Sequence, residues 1–281
     1  MNMNSKKTEE VPCPLCASNV KAKAYLDFYP YGVVRCKSCN LYYLSPRLTE
    51  ETMLNLYSKN NYFEGEGNGY QDYLQQEKSL RATFRQLLIN LSDRKLTGGR
   101  LLEIGCGYGY LLDESRNFFK YRVGTDFSAT ALEYAKNRAD RVVQGGIDAV
   151  PNEELFDCII SSQVIEHVYD PKKFLQQTLS RLKPKGKVVI ATPDMGSFWR
   201  YLMGHKWSSF KLPEHILFFD KKTLSSLMKE VGIVNVKAIP YPHAFPLTLV
   251  ASKLHIKLPS FFNKYNLWIP ATTLALSGTK K

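Results

Sequence analysis

Short apolar runs alternate with amphipathic segments through the middle of the chain. Short runs bounded by glycine or polar residues are typical of buried strands, whereas apolar positions spaced three and four apart are typical of helices. The predicted strands cover residues 101–104, 121–126, 141–145, 156–161 and 187–191. Helical segments separate them, and one such segment has an apolar face formed by Phe174, Leu175, Thr178, Leu179 and Leu182. This alternation predicts a parallel sheet with helices on both faces.

Further elements on both sides extend the pattern. A helix is predicted over residues 74–91, where the apolar positions Leu80, Phe84, Leu87, Leu88 and Leu91 share one face. Another helix, over 221–231, precedes strands near 233–239 and 271–278. The sequence therefore predicts an α/β fold with a doubly wound, mostly parallel, seven-stranded sheet.

Four of the six cysteines form two Cys-x-x-Cys pairs near the start of the chain. The pairs are Cys13 with Cys16 and Cys36 with Cys39. Two tight turns of this kind can direct four thiolates at one ion, which is the closed tetrahedral shell of a structural zinc site. Redox-active dithiols or unrelated cysteines are the alternatives. We predict a small zinc-binding module over residues 1–46, with short strands at 33–35 and 41–44.

The most distinctive motif, Leu-Leu-Glu-Ile-Gly-Cys-Gly-Tyr-Gly, spans residues 101–109 and joins a predicted strand to a helix. Glycines at this point let the main chain approach a nucleotide-like ligand at the carboxyl end of a strand. A dinucleotide fingerprint needs another glycine at position 110, where this chain has Tyr110. Asp126 ends the next strand, where a carboxylate can accept both hydroxyls of a ribose. A simple helix cap is its alternative role.

These residues resemble the first motif of class I S-adenosylmethionine-dependent methyltransferases. Two further features narrow the resemblance to one branch of this class. They are the sequence Ser-Gln-Val-Ile-Glu-His at 162–167 and the four-cysteine leader. The chain is similar to a zinc-knuckle branch that acts on small molecules, and to ubiquinone-biosynthesis O-methyltransferases. The resemblance covers about residues 12–240 and implies a Rossmann-like methyltransferase domain over 99–281, after a helical aromatic cap or linker over 47–98.

The resemblance also implies a set of S-adenosylmethionine-binding residues at the strand ends. Ile147 would pack on the adenine ring and Asp148 would meet its edge. Tyr73 or Tyr62 would fold over the cofactor, with ordinary packing as the alternative for both. The implied set is Tyr73, Glu103, Gly105, Gly107, Gly109, Asp126, Phe127, Ile147, Asp148, Ser162 and Gln163.

The implied reaction is an in-line displacement at a sulfonium, in which the enzyme mainly positions donor and acceptor. If the acceptor is a hydroxyl, His167 and His215 are candidate bases, because histidine titrates near neutral pH. His167 has an alternative role in orienting Glu166 or capping its loop. The insertion at 194–220 is the expected acceptor-side wall. Some related enzymes hold a divalent metal through an acid at the position of Gln163, so we expect no catalytic metal here.

Charge along the chain is uneven. The net charge is +12, and after Glu230 the chain has lysines but no Asp or Glu. A basic end suits nucleic acid, an anionic membrane surface, an acidic substrate or a solvated face. The segment 245–264 is expected to form an amphipathic insertion that rests on anionic lipid, packs on the sheet or meets a second subunit. Without a membrane-length apolar run or a signal core, we expect a cytoplasmic protein, and a peripheral position at the inner membrane face is left open.

Two other functions fit part of the sequence. Basic charge and an N-terminal zinc knuckle are compatible with an RNA methyltransferase. However, no Asn-Pro-Pro-aromatic base pocket follows the fourth strand, so nucleic acid is disfavoured. A non-catalytic S-adenosylmethionine-binding zinc-knuckle protein is the second alternative, against which the glycine loop and Asp126 argue. The pattern leaves open which acceptor is methylated, and whether on oxygen, nitrogen or carbon.

Overall fold

The computed structural model describes residues 7–19, 23–57, 74, 76–253, 256, 258–259, 261–262 and 265–281. The strands within these residues are β1 (Thr8–Glu9), β2 (Lys23–Phe28), β3 (Tyr31–Arg35), β4 (Tyr42–Leu44), β5 (Arg47–Leu48), β6 (Arg100–Ile104), β7 (Tyr121–Asp126), β8 (Arg141–Gln144), β9 (Phe156–Ser162), β10 (Leu182–Pro193), β11 (Leu217–Phe218), β12 (Ile233–Ile239), β13 (His243–Pro246), β14 (Asn266–Ile269) and β15 (Thr273–Lys280). The α-helices are α1 (Glu50–Tyr57), α2 (Glu77–Ser92), α3 (Tyr110–Glu114), α4 (Ala129–Ala135), α5 (Pro171–Ser180), α6 (Phe198–Met203), α7 (Lys221–Glu230) and α8 (Leu247–Lys253).

Seven strands form the central sheet, in the order β12-β15-β10-β9-β6-β7-β8. The five strands from β10 to β8 run parallel, and β15 lies antiparallel between β10 and β12. Leu101 and Leu102 of β6 and Val188 to Ile190 of β10 are fully buried, as expected for strands covered on both faces. The structure therefore confirms the predicted doubly wound, mostly parallel, seven-stranded sheet.

Polar residues at the carboxyl ends of the strands fix where the next helices begin. The Oγ atom of Ser128 accepts the N–H of Ala131 at 3.1 Å at the start of α4. Before α5, Asp170 Oδ1 accepts the N–H of Lys173 at 2.9 Å, and Pro171 is the first helical residue. Both caps agree with the sequence-based prediction. They fix the residues at which the loops after β7 and β9 end.

The N-terminal module shares a sheet with the acceptor-side insertion. Its strands β2, β3 and β4 continue into β11, which belongs to the insertion. The main chain of Ile216 connects the two parts, because its carbonyl accepts the N–H of Leu44 and its N–H donates to the carbonyl of Glu166, both at 2.9 Å. The module therefore packs against the loop that follows β9.

The segment 245–264 begins in an antiparallel hairpin that the sequence analysis did not predict. β13 pairs with β14, and the hairpin is anchored on α2. The N–H of Ala244 donates to Thr83 Oγ1 at 2.9 Å, and Ser79 Oγ donates to Asn266 Oδ1 at 2.7 Å. These contacts agree with an insertion that packs on the domain, whereas contact with an anionic membrane stays a prediction. Across the described ranges, no helix combines the length and apolar character needed to cross a membrane.

Candidate cofactor and active site

The glycine loop between β6 and α3 has a backbone that favours glycine. Gly105, Gly107 and Gly109 have φ angles of 74°, 50° and 75°, in the left-handed region. A side chain at Gly105 would place its Cβ atom 2.4 Å from Cγ2 of Val164, well inside van der Waals contact. The loop is therefore packed closely against the residues that follow β9.

Asp126, at the end of β7, holds the glycine loop through its carboxylate. Its Oδ2 accepts the N–H of Gly107 at 2.8 Å, and its Oδ1 accepts the N–H of Ser128 at 2.9 Å. Burial raises the pKa of Asp126, and the N–H groups of Ser128 and Gly107 act against that rise. Each oxygen has a further lone pair for a ligand hydroxyl. The Asp126 carboxylate thus binds the backbone of Ser128, as a cap would, and also holds the glycine loop at Gly107.

The side chain of Glu103 is buried beside Asp126. It is 3% exposed, and its Oε2 has no hydrogen-bond partner within the residues that the structure describes. Burial and then the negative charge of Asp126 raise the pKa of Glu103 well above its usual range. Glu103 therefore lies in the protein interior beside Asp126, and its part in cofactor binding stays a prediction.

Two of the predicted cofactor-binding residues, Phe127 and Asp148, flank Gly146. A Cβ atom on Gly146 would lie 3.3 Å from Cζ of Phe127 and 2.8 Å from Oδ1 of Asp148. The Phe127 ring is 62% exposed, and Asp148 is exposed as well. Ile147, in contrast, is buried in the core. An exposed aromatic face and a carboxylate thus lie together beside the end of β8, at the edge where α/β sheets bind ligands.

Two predicted residues lie at the end of β9. Ser162 Oγ is 3.1 Å from the hydroxyl of Tyr241, a residue that the sequence analysis did not single out. Gln163 has a φ of 60°, which costs a non-glycine residue about 1–3 kcal/mol. Its N–H donates to the carbonyl of Ala191 at 2.8 Å, which stabilises the turn.

Two predicted residues fall outside the described part of the chain, namely Tyr62 and Tyr73.

Glu166, His167 and His215 form a largely buried cluster where the loop after β9 meets the insertion at 194–220. Potential ligand atoms of all three side chains lie within 4.8 Å of one another. The two imidazole rings pack edge to face, with their centroids 4.7 Å apart. The sequence analysis named both histidines, but their wide separation along the chain gave no sign that they touch.

Main-chain carbonyls hold both imidazole rings. Nδ1 of His167 lies 2.9 Å from the carbonyl oxygen of Glu214, and Nδ1 of His215 lies 2.8 Å from that of Ser209. Because a carbonyl can only accept, each Nδ1 carries a proton, and each Nε2 is the acceptor of a neutral ring. Burial lowers the pKa of His167 to about 4 and that of His215 well below its usual range. Both rings are therefore neutral at physiological pH.

The carboxyl group of Glu166 completes the cluster. Its Oε2 accepts the hydroxyl hydrogen of Thr192 at 3.0 Å, whereas its Oε1 is enclosed and has no partner within the described ranges. Burial raises the pKa of Glu166 to about 8, so the group is largely protonated at neutral pH. The cluster therefore combines neutral imidazole acceptors with a carboxylic acid.

The same three side chains could reach one metal ion. The expectation of no catalytic metal considered Glu166 and His167 alone, and the structure adds His215 to them. Two imidazoles and one carboxylate suit a transition-metal ion better than magnesium, which prefers several oxygen ligands. Turnover without a divalent metal stays a prediction.

The four cysteines of the N-terminal module come together as predicted. The Sγ atoms of Cys13 and Cys39 are 3.4 Å apart, those of Cys16 and Cys36 are 3.6 Å apart, and all four lie within 4.8 Å of one another. The residue after each pair, Ala17 or Asn40, has a φ of 52° or 66°, which closes the two turns in the same way. A tetrahedral zinc with Zn–S bonds of about 2.3 Å needs sulfur separations of about 3.8 Å, so the thiols fit such an ion.

Comparison with known families identifies the family to which this fold belongs. The family model of the methyltransferase domain matches residues 74–238, which include the glycine loop, Asp126 and the histidine cluster. This is more than half of the chain, and the protein therefore belongs to the methyltransferase domain family.

Individual relatives agree with this assignment. The chain is 30% identical over 146 residues to an uncharacterized protein of Methanocaldococcus jannaschii, a match that covers 52% of this chain and 69% of that protein. It is 28% identical over 159 residues to a ubiquinone biosynthesis O-methyltransferase of Rhodopseudomonas palustris, covering 50% of this chain but only 63% of that enzyme. A solved methyltransferase of Thermotoga maritima, described as SAM-dependent, superposes with a TM-score of 0.57 at 22% identity, over 79% of this chain and 99% of that one. At that identity the likeness shows the shared fold.

The raised pKa of Glu166 predicts a specific pH dependence of stability. Its pKa in the folded protein, about 8, lies above the ordinary value of 4.5. Its contribution to the free energy of unfolding is therefore full below pH 4.5 and is lost as the pH rises through 8. His167 acts in the opposite sense, but only below its ordinary pKa of 6.5. From pH 6.5 to 8, Glu166→Gln should therefore gain stability relative to wild type, by up to about 1.4 kcal/mol per pH unit.

Urea unfolding across this pH range measures the difference. Glu133→Gln is the control, because the Glu133 side chain is 70% exposed and should leave the slope unchanged. A Glu166→Gln protein whose stability follows wild type in parallel would show that Glu166 ionises normally.

Proposed function

We propose that the protein transfers a methyl group from S-adenosylmethionine to a small-molecule acceptor by in-line displacement. The observation that carries this proposal is the hydrogen bond from the Gly107 N–H to Asp126 Oδ2. It joins a glycine-rich loop to a carboxylate, at the sheet edge where α/β folds bind ligands. The match to the methyltransferase domain includes both residues.

The residues at this edge fit such a cofactor. Gly105, Gly107 and Gly109 would let the main chain approach its methionine part. Asp126 has lone pairs for the ribose hydroxyls, and the exposed ring of Phe127 is suited to stack on adenine. When bound, the cofactor supplies an electrophilic methyl group on a sulfonium.

His167 and His215 would act on the methyl acceptor. Their carbonyl-bound Nδ1–H groups fix the rings, so Nε2 is the atom that can take a proton from an acceptor hydroxyl. A pKa of about 4 makes His167 a weak base in the resting protein. An acidic O–H, or an acceptor that brings negative charge near the ring and so raises its pKa, would suit this site best.

The relatives support a small, O-methylated acceptor. Several of them are named ubiquinone biosynthesis O-methyltransferases. The chain spans about 63% of the length of the first of these enzymes, so the choice of acceptor is a proposal for this protein. The near-complete burial of Glu166 and His215 also favours a compact reacting group over a polymer surface.

We also propose a structural zinc ion on Cys13, Cys16, Cys36 and Cys39. Four thiolates leave no open coordination position, so the ion would stabilise the module and take no part in catalysis. Because Leu44 bonds to Ile216, loss of the ion should also disturb the neighbouring His215.

Cofactor binding tests the central part of the proposal. Asp126→Asn should bind S-adenosylmethionine about tenfold or more weakly in calorimetry, because a charge-assisted hydrogen bond is lost. Gly105→Ala should abolish binding, since its Cβ atom would clash with Val164. Gly98→Ala is the control, because Gly98 also has a positive φ but its Cβ atom would meet nothing within 4 Å. Unchanged binding by Asp126→Asn would contradict the proposal.

The role of the histidines can be tested with a methyl-labelled donor and a small-molecule extract. His167→Gln and His215→Gln should each lower methyl incorporation about 100-fold or more, as expected for loss of a general base. Affinity for S-adenosylmethionine should stay unchanged. His205→Gln, at an exposed position, is the matched control. Full activity in both cluster variants would rule out a catalytic role.

Metal analysis tests the zinc site. Wild type should contain one zinc ion per chain, and Cys36→Ser should lose it and unfold at a lower temperature, because metal binding contributes directly to folding. Cys158→Ala changes a buried cysteine outside the module and should keep the zinc. Purified wild type without zinc, or Cys36→Ser that retains it, would contradict the assignment.

A further inference from the structure

Arg200, in α6, is a buried cation without a counter-charge. It is 7% exposed, and its Nε is enclosed without a hydrogen-bond partner. Within the part of the chain that the structure describes, its guanidinium makes no hydrogen bond and no ion pair. Arg200 therefore differs from what a buried arginine normally requires.

The other buried arginines of the described residues show the contrast. Arg47 pairs with Glu9 at 2.9 Å, and Arg122 pairs with Asp140 at 3.0 Å. Arg181 donates to a main-chain carbonyl at 3.1 Å. Each of these side chains has a hydrogen-bond acceptor within the protein. Arg200 is the buried arginine of the described residues whose guanidinium has none.

Two tyrosine rings flank the guanidinium of Arg200, and one of them, Tyr201, is 69% exposed. Its central carbon lies 4.6 Å from the ring centroid of Tyr25 in β2 and 4.8 Å from that of Tyr201. Tyr25 in turn packs edge to face on Tyr42, and Arg35 lies over the Tyr42 ring at 5.3 Å. Aromatic faces stabilise a cation only partly, and they supply no hydrogen-bond acceptor in the guanidinium plane.

Burial and Tyr201 are the influences on the pKa of the Arg200 guanidinium within the described residues, and no carboxylate there forms an ion pair with it. Its Nη atoms, unlike its Nε, are not among the enclosed polar atoms, so they keep some contact with solvent. Burial lowers the pKa of Arg200 from its ordinary value, which reflects the cost of holding this charge unpaired.

The position of Arg200 relates it to the proposed reaction. α6 follows the carboxyl end of β10, beside the end of β9 that leads into Glu166 and His167. The carboxyl ends of these parallel strands meet at the same edge of the sheet as the glycine loop. The Arg200 guanidinium thus lies on the acceptor-side insertion, between it and the N-terminal module.

We propose that Arg200, between Tyr25 and Tyr201, binds an oxyanion of the methyl acceptor, either a carboxylate or a phosphate. A guanidinium offers paired N–H donors that match either group, and the oxyanion would neutralise the buried charge. This inference rests on the proposed methyltransferase function. It narrows the acceptor to an anionic small molecule.

Anion-dependent thermal unfolding tests the site. Sodium phosphate and sodium acetate are titrated separately, at an ionic strength held constant with sodium chloride. At least one anion should raise the Tm of wild type in a saturable way. The anion that does so shows whether the site binds a phosphate or a carboxylate. Arg200→Met should lose this response. Its Tm without anion should equal or exceed that of wild type, because an unpaired buried charge is removed.

Two further variants keep the test decisive. Arg200→Lys retains the charge but not the paired donors, and its apparent anion affinity should fall about tenfold. Arg122→Met should unfold at a lower temperature, because it leaves Asp140 unpaired, yet it should keep the anion response. An Arg200→Met or Arg200→Lys protein with the wild-type anion response would overturn the proposal, as would a wild type that phosphate and acetate stabilise no more than chloride.

Calorimetry with S-adenosylmethionine separates the two proposals. Wild type and Arg200→Met should bind it equally, since Arg200 is not part of the cofactor cradle. Cofactor binding without an anion response would defeat the Arg200 site alone. An anion response without cofactor binding would instead defeat the proposed reaction.

Discussion

The hydrogen bond from the Gly107 N–H to the carboxylate of Asp126 is the constraint on which the rest of the site depends. It ties the loop after β6 to the end of β7, and it requires a loop backbone that glycine adopts most readily. The close packing of Gly105 on Val164 and the bond from the Gln163 N–H to Ala191 extend the link to β9 and β10. Four strand ends are thereby connected along one edge of the sheet, and such connections pre-organise a site for a ligand.

The second connection runs through the main chain of Ile216. By bonding to Leu44 on one side and to Glu166 on the other, it joins the cysteine module to the loop after β9. The next residue along the chain toward the N-terminus is His215, so the module and the histidine cluster are joined through adjacent residues. Burial shifts the pKa values of Glu166 and His167, and the buried Arg200 has no counter-charge within the described residues. Both features are expected of a site that is completed by its substrate.

The sequence predicted the sheet and its caps because local signals determine them. Continuous apolar strands, Ser128 and Asp170 at helix starts, and the paired cysteines all act over a few residues. The β13–β14 hairpin was missed because its apolar segment resembled an amphipathic surface helix and contains Pro246. The contact between His167 and His215, the burial of Glu103 and the isolation of Arg200 depend on long-range packing, which one sequence does not reveal.

A crystal structure with S-adenosylhomocysteine tests the cradle most directly. We expect the ribose hydroxyls within hydrogen-bond distance of the Asp126 carboxylate, the adenine against Phe127, and the thioether sulfur on the side of the His167 and His215 cluster. A ligand bound elsewhere on the protein, or a site that stays empty at saturating ligand, would contradict the assignment of this edge of the sheet as the methyl-donor site.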